Sequence, residues 1–361
     1  MRRAFSASAV SKNILQPRFS PLTTLPSSDI SVFRTSHFQP QLPVVLPRGH
    51  FRHLPAIQKW FSQPPSSPGA NAASHGRYLN YSYLENHGDS SVPLELTTQS
   101  PSSSPASPET PAFQRTYAPL ALFLEWTKTA TTAPTSTTAT SDAKTADPNI
   151  RLYLAQCQLL DLPQALRSDF PTPSFVSEAG KGDIYDTNIW MGVPPTYTPL
   201  HRDPNPNLFV QMAGSKVVRL YAPETGRAVF ERVRGMVAER RGGNNGDGGN
   251  VSAKFRGEEM MQGLEKELLE VEVWGDTMNR EVNGGGDTGV KGFEAHLDAG
   301  DGIFIPMGWW HSIKGVREGI TASEPIRRSI GGFDDDKALL GAQRIIRAAA
   351  KQSTPSDAIM M

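Results

Sequence analysis

The chain has 361 residues, with 36 basic and 36 acidic side chains and a single cysteine, Cys157. The balanced charge gives no overall electrostatic footprint for nucleic acid, and one cysteine excludes an internal disulfide framework and fits a reducing compartment. No apolar run approaches the roughly 20 residues that a membrane-spanning helix needs. The length suits two ordinary domains or one β-domain with long insertions.

Residues 1–29 are basic and rich in serine, with no acidic residue before Asp29. This composition is typical of a mitochondrial presequence, and it fits a disordered tail equally well. We therefore expect an intracellular protein, mitochondrial if the segment is a presequence and otherwise cytoplasmic or nuclear.

Residues 30–126 predict the N-terminal α/β part of the fold. Leu42–Leu46 and Val92–Leu96 predict strands, and Pro55–Phe61 predicts a short helix. In Phe113–Trp126 the apolar residues recur at helical spacing, which predicts a helix with its apolar stripe toward the core.

Two segments interrupt this pattern. Residues 98–111 are nearly all Ser, Pro and Thr, and residues 127–148 are rich in Thr, Ala and Ser. Neither segment buries enough apolar surface to offset its ordering entropy, so both are predicted to be mobile surface loops.

Residues 149–333 contain the pattern on which the functional prediction depends. Ile150–Gln158 and Ile184–Val193 predict strands that lead to His201-Arg202-Asp203. Because side chains alternate along a strand, His201 and Asp203 project the same way, an imidazole beside a carboxylate. Completed by one more histidine, this pair is the two-His-one-carboxylate set that holds Fe(II) with open coordination positions.

The segment after this pair predicts a hairpin. Asn207–Met212 reads as a strand, Ala213–Ser215 as a tight turn and Lys216–Tyr221 as the returning strand. If the metal pair faces inward, Lys216 lies among apolar residues, where it needs an anionic partner. A dicarboxylate co-substrate that chelates the metal with one end supplies that anion with the other.

The third ligand is predicted further along the chain. Ile303–Pro306 predicts a short strand, and His311 follows two tryptophans in the next segment. A second His-x-Asp, His296-Leu297-Asp298, has no lysine-bearing strand behind it, and we interpret it as structural.

These segments resemble the jumonji-C (cupin-8) family of Fe(II)/2-oxoglutarate oxygenases. The likeness rests on His201-x-Asp203 with Asn207 and Lys216, and on Gly300-Asp-Gly-Ile-Phe-Ile-Pro-x-Gly-Trp-Trp-His311. Two further segments, Leu154-Ala-Gln-Cys-Gln and Asp186-Thr-Asn-Ile-Trp-Met-Gly, are similar to those of the small hydroxylase branch. That branch includes arginyl, asparaginyl and tRNA wybutosine hydroxylases.

The resemblance implies a mainly β fold with flanking helices, a double-stranded β-helix of the jelly-roll, cupin-like type. It implies that His201, Asp203 and His311 are the catalytic ligands of Fe(II), with 2-oxoglutarate and O2 as co-substrates. The residues that it assigns to 2-oxoglutarate are Lys216, Thr198, Asn207 and Tyr153.

The activity implied is a dioxygenase that hydroxylates a protein side chain and releases succinate and CO2. Demethylation of N-methyl-lysine by the same chemistry stays open, as do a tRNA-modifying hydroxylase and a catalytically inactive cupin-like scaffold. A protein is the expected partner, whereas the balanced charge does not favour nucleic acid.

Three features depart from the family pattern or lie outside the barrel. Residues 227–292 form an insertion, with helical segments at 227–240 and 257–271, for which a solvated loop is the simplest prediction and a lid or docking element the alternative. Residues 334–361 predict a C-terminal amphipathic helix, which by analogy with the family suggests a homodimer. Pro325 and the two arginines after it argue against a central strand, which predicts either a truncated last strand or a faulty gene model.

Overall fold

The computed structural model describes residues 18–62, 78–98, 112–131, 147, 149–180, 184–240, 263–275 and 291–328. Its strands are β1 (Phe19–Pro21), β2 (Val44–Val45), β3 (Phe61–Ser62), β4 (Tyr78–Leu79), β5 (Ser91–Thr98), β6 (Ala112–Pro119), β7 (Ile150–Gln158), β8 (Ile184–Gly192), β9 (Thr196–Arg202), β10 (Asn207–Ala213), β11 (Ser215–Tyr221), β12 (Gly292–Asp298), β13 (Gly302–Ile305), β14 (Trp310–Val316) and β15 (Thr321–Arg328). Its α-helices are α1 (Ile30–Phe33), α2 (Pro55–Trp60), α3 (Tyr81–Leu84), α4 (Leu120–Thr131), α5 (Gln164–Ser168), α6 (Ser174–Ser177), α7 (Pro223–Arg240) and α8 (Gly263–Trp274).

Two sheets face each other and form the barrel. One sheet has five strands in the order β1-β12-β11-β14-β9, and the other has eight in the order β2-β13-β10-β15-β8-β7-β5-β6. Neighbours are antiparallel except for the parallel pair β1–β12. Apolar side chains from both sheets, among them Phe209, Val218 and Ile313, fill part of the space between them. This arrangement is the predicted double-stranded β-helix.

Helices α1 to α6 cover the outer face of the eight-stranded sheet. Their apolar residues pack against outward-facing residues of β5, β7, β8 and β10 in one cluster. The buried carboxylate of Asp169 ties several of these segments together. Its three side-chain donors are Lys59 Nζ at 2.5 Å, Trp60 Nε1 at 2.9 Å and Tyr83 Oη at 2.5 Å. None of the helices in the described part of the chain is long and apolar enough to cross a membrane.

Helices α7 and α8 cover the outer face of the five-stranded sheet. Val233, Leu269 and Val273 are buried there against Leu200 and Trp310 of the sheet. The prediction of a solvated loop is therefore wrong for the described helices of the insertion, because their apolar faces complete a core cluster.

The folded region begins earlier than the predicted boundary at residue 30. Strand β1 pairs with β12, and Phe19 packs against Tyr221 with ring centroids 5.5 Å apart. Arg18 forms an ion pair with the buried Glu272 at 3.4 Å. These contacts bind residues 18–21 to the barrel. Residues 1–17, 99–111, 132–146 and 334–361, with the loops and terminal helix predicted there, lie outside the described residues. The prediction of a loop from residue 127 is wrong for residues 127–131, which continue helix α4.

Two predicted elements differ in the structure. The helix predicted for Phe113–Trp126 begins only at Leu120, because residues 112–119 pair with β5 as a strand along all of its length. The predicted hairpin is not formed either: β10 and β11 lie in opposite sheets. Gly214 turns the chain between them with φ of 64°. The chain therefore crosses from one sheet to the other at this residue.

The prediction of a truncated last strand is also wrong. Strand β15 runs from Thr321 to Arg328 in the centre of the eight-stranded sheet, between β10 and β8. Pro325 lies opposite Phe209 of β10 and has no N–H to donate, and the pairing of β15 with β8 is interrupted between Ser323 and Ile326. Burial of the flanking apolar residues keeps the strand in place despite this interruption.

Candidate metal centre

The three predicted ligands converge at one end of the barrel. His201 on β9 and His311 on β14 are direct cross-strand neighbours, with ring centroids 4.2 Å apart. Asp203 follows β9 immediately, and its Oδ2 lies 3.8 Å from His311 Nε2. One ligand atom from each of the three residues lies within 4.8 Å of the others, a spacing that one metal ion can bridge.

Backbone carbonyls orient both imidazoles. His201 Nδ1 lies 2.9 Å from the carbonyl oxygen of Pro199, and His311 Nδ1 lies 3.2 Å from that of Trp309. A neutral ring that donates Nδ1–H in this way carries its lone pair on Nε2. Burial, together with the nearby His201, lowers the pKa of His311 to about 3. His311 is therefore neutral at physiological pH, as a metal ligand must be.

Two side chains of the eight-stranded sheet contact the Asp203 carboxylate, one through a hydrogen bond and one through an ion pair. Asn207 Nδ2 donates to Oδ2 at 3.2 Å, and Arg327 Nε forms an ion pair with the same oxygen at 3.4 Å. Asn207, which the resemblance assigns to 2-oxoglutarate, thus contacts a predicted metal ligand in this structure. Arg327 is a contact that the sequence analysis did not anticipate.

Lys216 lies inside the barrel, as predicted. Its side chain is buried, and Nζ donates to the hydroxyl of Ser323 at 2.7 Å and lies 5.4 Å from the ring centre of Phe209. Among the described residues no carboxylate forms an ion pair with it. Burial therefore lowers the pKa of Lys216 to about 7, which marks a cation that lacks an anion.

The cross-strand register places Thr198 between the metal ligands and this lysine. One row contains His201, His311 and Leu220, the next Thr198, Ile313 and Val218, and the third Gly315 beside Lys216. A one-residue register shift between His311 and Ile313 lets Thr198 and His201 share the interior face.

Tyr153 lies on the inner face of the eight-stranded sheet. It is paired with Gly192, where a Cβ would come within 2.2 Å of its ring, and its ring centroid is 6.1 Å from that of Trp190. Burial raises the pKa of Tyr153, so its hydroxyl stays protonated. Its predicted role toward 2-oxoglutarate remains a prediction.

The contribution of β15 to the site was not among the predictions from the sequence. Ser323 and Arg327 face the interior, and Arg327 Nη1 also contacts Asp186 Oδ2 of β8 at 2.6 Å. Alternation along Thr321–Arg328 would have indicated these residues if the segment had been recognised as a strand. Pro325 and the adjacent charges concealed that strand.

The interior fits a polar ligand as well as a metal. Two histidines and one carboxylate are the donor set of non-haem iron, with coordination positions left for other ligands. Four buried polar atoms on the inner face of the eight-stranded sheet have no hydrogen-bond partner within the described ranges: Asn188 Oδ1, Trp190 Nε1, Asn207 Oδ1 and Gln211 Oε1. Buried polar atoms normally have hydrogen-bond partners, so these four atoms indicate a ligand with donors and acceptors of its own.

The second His-x-Asp motif is separate from this centre. His296 on β12 is 72% exposed and lies 2.8 Å from Glu294, which agrees with its interpretation as structural. Within the described residues, His201, Asp203 and His311 are the one group of three or more potential ligands that converges.

Comparison with known proteins agrees with this geometry. The family model of the cupin-like domain (Cupin_8) matches residues 30–325. JmjC domain-containing protein F of Dictyostelium discoideum is 23% identical over 321 residues, which cover 82% of this chain and 59% of that protein. Lysine-specific demethylase JMJ30 of Arabidopsis thaliana is 23% identical over 291 residues, covering 81% and 51%.

A more local match reaches higher identity. Lysine-specific demethylase 8 of Danio rerio is 40% identical over 80 residues, which cover 22% of this chain and 20% of that protein. The chain spans between about half and three-fifths of the length of the two relatives matched along most of it, 51% and 59%. The narrower likeness to the small hydroxylase branch stays a prediction.

Proposed function

The chain belongs to the family of cupin-like domains that includes the JmjC proteins, a family of Fe(II)/2-oxoglutarate oxygenases, and from this premise we propose that it is a dioxygenase that hydroxylates a protein side chain. Two ends of one interior support the proposal. One end carries two histidines and a carboxylate that converge, and the other carries a buried lysine that pairs with no carboxylate among the described residues. A dicarboxylate that also ligates a metal matches both ends.

Lys216 is the observation that carries the proposal. A buried ammonium without an anion destabilises a folded protein unless a ligand supplies the charge. Ser323 supplies only a hydroxyl. A structural role for Lys216 would predict a carboxylate within the barrel, and none of the described carboxylates pairs with it.

Each residue then has a defined task. Lys216, with Ser323 and Thr198, binds the distal carboxylate of 2-oxoglutarate, and His201, Asp203 and His311 hold the iron. Asn207 keeps Asp203 oriented through its 3.2 Å hydrogen bond. When bound, the iron supplies the oxidative chemistry, in which 2-oxoglutarate, O2 and a substrate C–H group give succinate, CO2 and an alcohol. The apolar residues between the sheets exclude water from this interior.

Demethylation is the second candidate, because two of the relatives are named lysine-specific demethylases. Charge favours hydroxylation of an uncharged side chain instead. The Arg327 guanidinium lies 3.4 Å from Asp203, so a methylated ammonium brought to the metal would meet a like charge nearby. Mass spectrometry of peptides incubated with the holoenzyme separates the two, because hydroxylation adds an oxygen and demethylation removes a methylene.

Direct binding of the co-substrate tests the proposal. The full chain is titrated anaerobically with Fe(II) and 2-oxoglutarate while the visible charge-transfer band of the chelate is followed. His201→Ala is expected to abolish the band. Lys216→Met is expected to raise the apparent Kd of 2-oxoglutarate about 30-fold or more, because truncating one partner of a buried charge pair costs about 2–5 kcal/mol.

The matched control is Lys314→Met. Lys314 lies on β14, but its ammonium contacts Glu270 at 2.6 Å on the outer side of the sheet, so this substitution should leave the band and the Kd unchanged. A folded parent protein without the band would refute the dioxygenase proposal and favour the scaffold.

Proton uptake on binding gives a second test of the contact between Lys216 and the carboxylate of 2-oxoglutarate. Since the pKa of Lys216 is about 7 without an anion, a bound carboxylate raises it, and binding at pH 8 takes up a proton. Calorimetry in two buffers of different ionisation enthalpy measures that uptake, which Lys216→Met should remove. Equal uptake by the parent and the variant would show that Lys216 does not meet the co-substrate.

A further inference from the structure

Arg327 connects two carboxylates at the mouth of the metal centre. Its Nε lies 3.4 Å from Asp203 Oδ2, and its Nη1 lies 2.6 Å from Asp186 Oδ2. The guanidinium is largely buried, with 12% of the side chain exposed, and Asp203 is 2% exposed. A permanent positive charge therefore touches a metal ligand in a region that water screens poorly.

One oxygen of Asp203 is shared by several groups. Oδ2 lies 3.2 Å from Asn207 Nδ2, 3.4 Å from Arg327 Nε and 3.8 Å from His311 Nε2. A carboxylate oxygen offers about two acceptor positions. A metal that joins His311 to Oδ2 therefore approaches an oxygen that Asn207 and Arg327 already contact, and Arg327 is the contact that carries a like charge.

We propose that Arg327 is a positioning residue that holds the Asp203 carboxylate before the metal binds and makes metal binding depend on an anionic co-substrate. The inference rests on the proposed function, because it takes the triad to be a metal site. Without an anion, the guanidinium opposes the incoming dication. With a dicarboxylate present, the guanidinium gains an anionic partner beside the metal, so the two ligands bind cooperatively.

The charges of the site agree with this assignment. A divalent cation with Asp203, Asp186, Arg327 and Lys216 sums to two positive charges, which a dicarboxylate neutralises. The metal alone leaves this excess positive charge buried, which disfavours it. Removing the charge of Arg327 should therefore strengthen binding of the metal alone and weaken its coupling to the dicarboxylate.

Mn(II) binding tests the proposal without turnover. Free Mn(II) is followed by electron paramagnetic resonance in titrations of the full chain, with and without 2-oxoglutarate. Arg327→Gln is expected to bind Mn(II) alone about tenfold or more tightly than the parent, because a charge within 4–6 Å shifts ion binding by about one to three decades. In this variant, the Kd of Mn(II) without 2-oxoglutarate divided by its Kd with 2-oxoglutarate should be several-fold smaller than in the parent.

Two further variants separate charge from structure. Arg327→Lys keeps the charge and should stay close to the parent. Asp186→Asn removes the second anion that offsets Arg327 and should weaken Mn(II) binding. A disturbed fold weakens binding in every variant, so only the charge argument predicts changes of opposite sign, and circular dichroism and thermal melting check the fold of each protein.

The outcomes distinguish this inference from the proposed function. If Arg327→Gln binds Mn(II) no more tightly than the parent, the inference is overturned while the dioxygenase proposal stands. If the parent binds Mn(II) only with 2-oxoglutarate and Arg327→Gln also binds it without 2-oxoglutarate, the inference is supported. If neither protein binds Mn(II) even with 2-oxoglutarate present, both are overturned.

Discussion

Replacing the carboxyl group of Glu324 with an amide is expected to stabilise the protein, and increasingly so as the pH rises. Glu324 lies in the middle of β15 and is fully buried. Strand alternation turns it away from the barrel interior, toward the cluster that contains Val210, Ala322 and Ile326. Neither of its oxygens has a hydrogen-bond partner among the described residues.

The sign and size of the effect follow from this environment. Burial raises the pKa of Glu324 well above 4.5, so the folded protein keeps the proton that the unfolded chain releases. Stability is then highest below the unfolded pKa and is lost as the pH rises, by about 1.4 kcal/mol per unit. If the side chain stays protonated in the fold, the loss reaches about 3 kcal/mol at pH 7.

Urea unfolding of the full chain between pH 5 and pH 8 measures this loss. Glu324→Gln should be near the parent at pH 5 and more stable by about 3 kcal/mol at pH 7. Glu324→Met also removes the unsatisfied polar group and should add about 1–3 kcal/mol more. Glu239→Gln, at an exposed position near the end of α7, is the control. A stability difference that does not change with pH, or destabilisation by Glu324→Gln at pH 7, would refute the reasoning.

Two further predictions concern the outer layers. Gly226→Ala places a Cβ 2.2 Å from Cγ of Trp310, so it should cost about 1–3 kcal/mol in thermal unfolding and weaken Mn(II) binding at the adjacent His311. Gly235→Ala in the same helix meets nothing within 4 Å and should do neither. Asp169→Asn should cost on the order of 2 kcal/mol at pH 7. Burial opposes ionisation of Asp169, but hydrogen bonds, that of Lys59 first, hold its pKa below 3.8. The destabilisation caused by Asp169→Asn should therefore fade as the pH drops below that value. A destabilisation that stays constant with pH in urea unfolding would contradict this.

Local patterns carried most of the site. His201 and Asp203 stand two residues apart on one strand and its end, so their common direction follows from strand alternation. The motif that ends at His311 is specific because it occurs together with the other segments that resemble the family along the domain. The strands predicted for 150–158 and 207–212 also hold, since continuous apolar and β-branched residues favour buried strands.

Errors arose where tertiary contacts override local preference. The segment from Phe113 has helical spacing, but pairing with β5 makes residues 112–119 a strand. The apparent hairpin at Gly214 is a crossing between sheets, since the turn alone does not specify which neighbours its strands choose. Pro325 and the nearby arginines break strand rules, but neighbours on both sides hold β15 in the sheet.

By itself the sequence predicted the three residues that converge, the buried lysine and the class of fold, because each follows from residue type, from strand alternation or from a resemblance that extends along the domain. Only the tertiary structure decided which side chains meet across the barrel. The contact of Arg327 with Asp203 joins residues 124 positions apart in the numbering, and that of Lys216 with Ser323 joins residues 107 apart. Such contacts depend on sheet order and register, which are set by the packing of the whole barrel and leave no local signal in the chain.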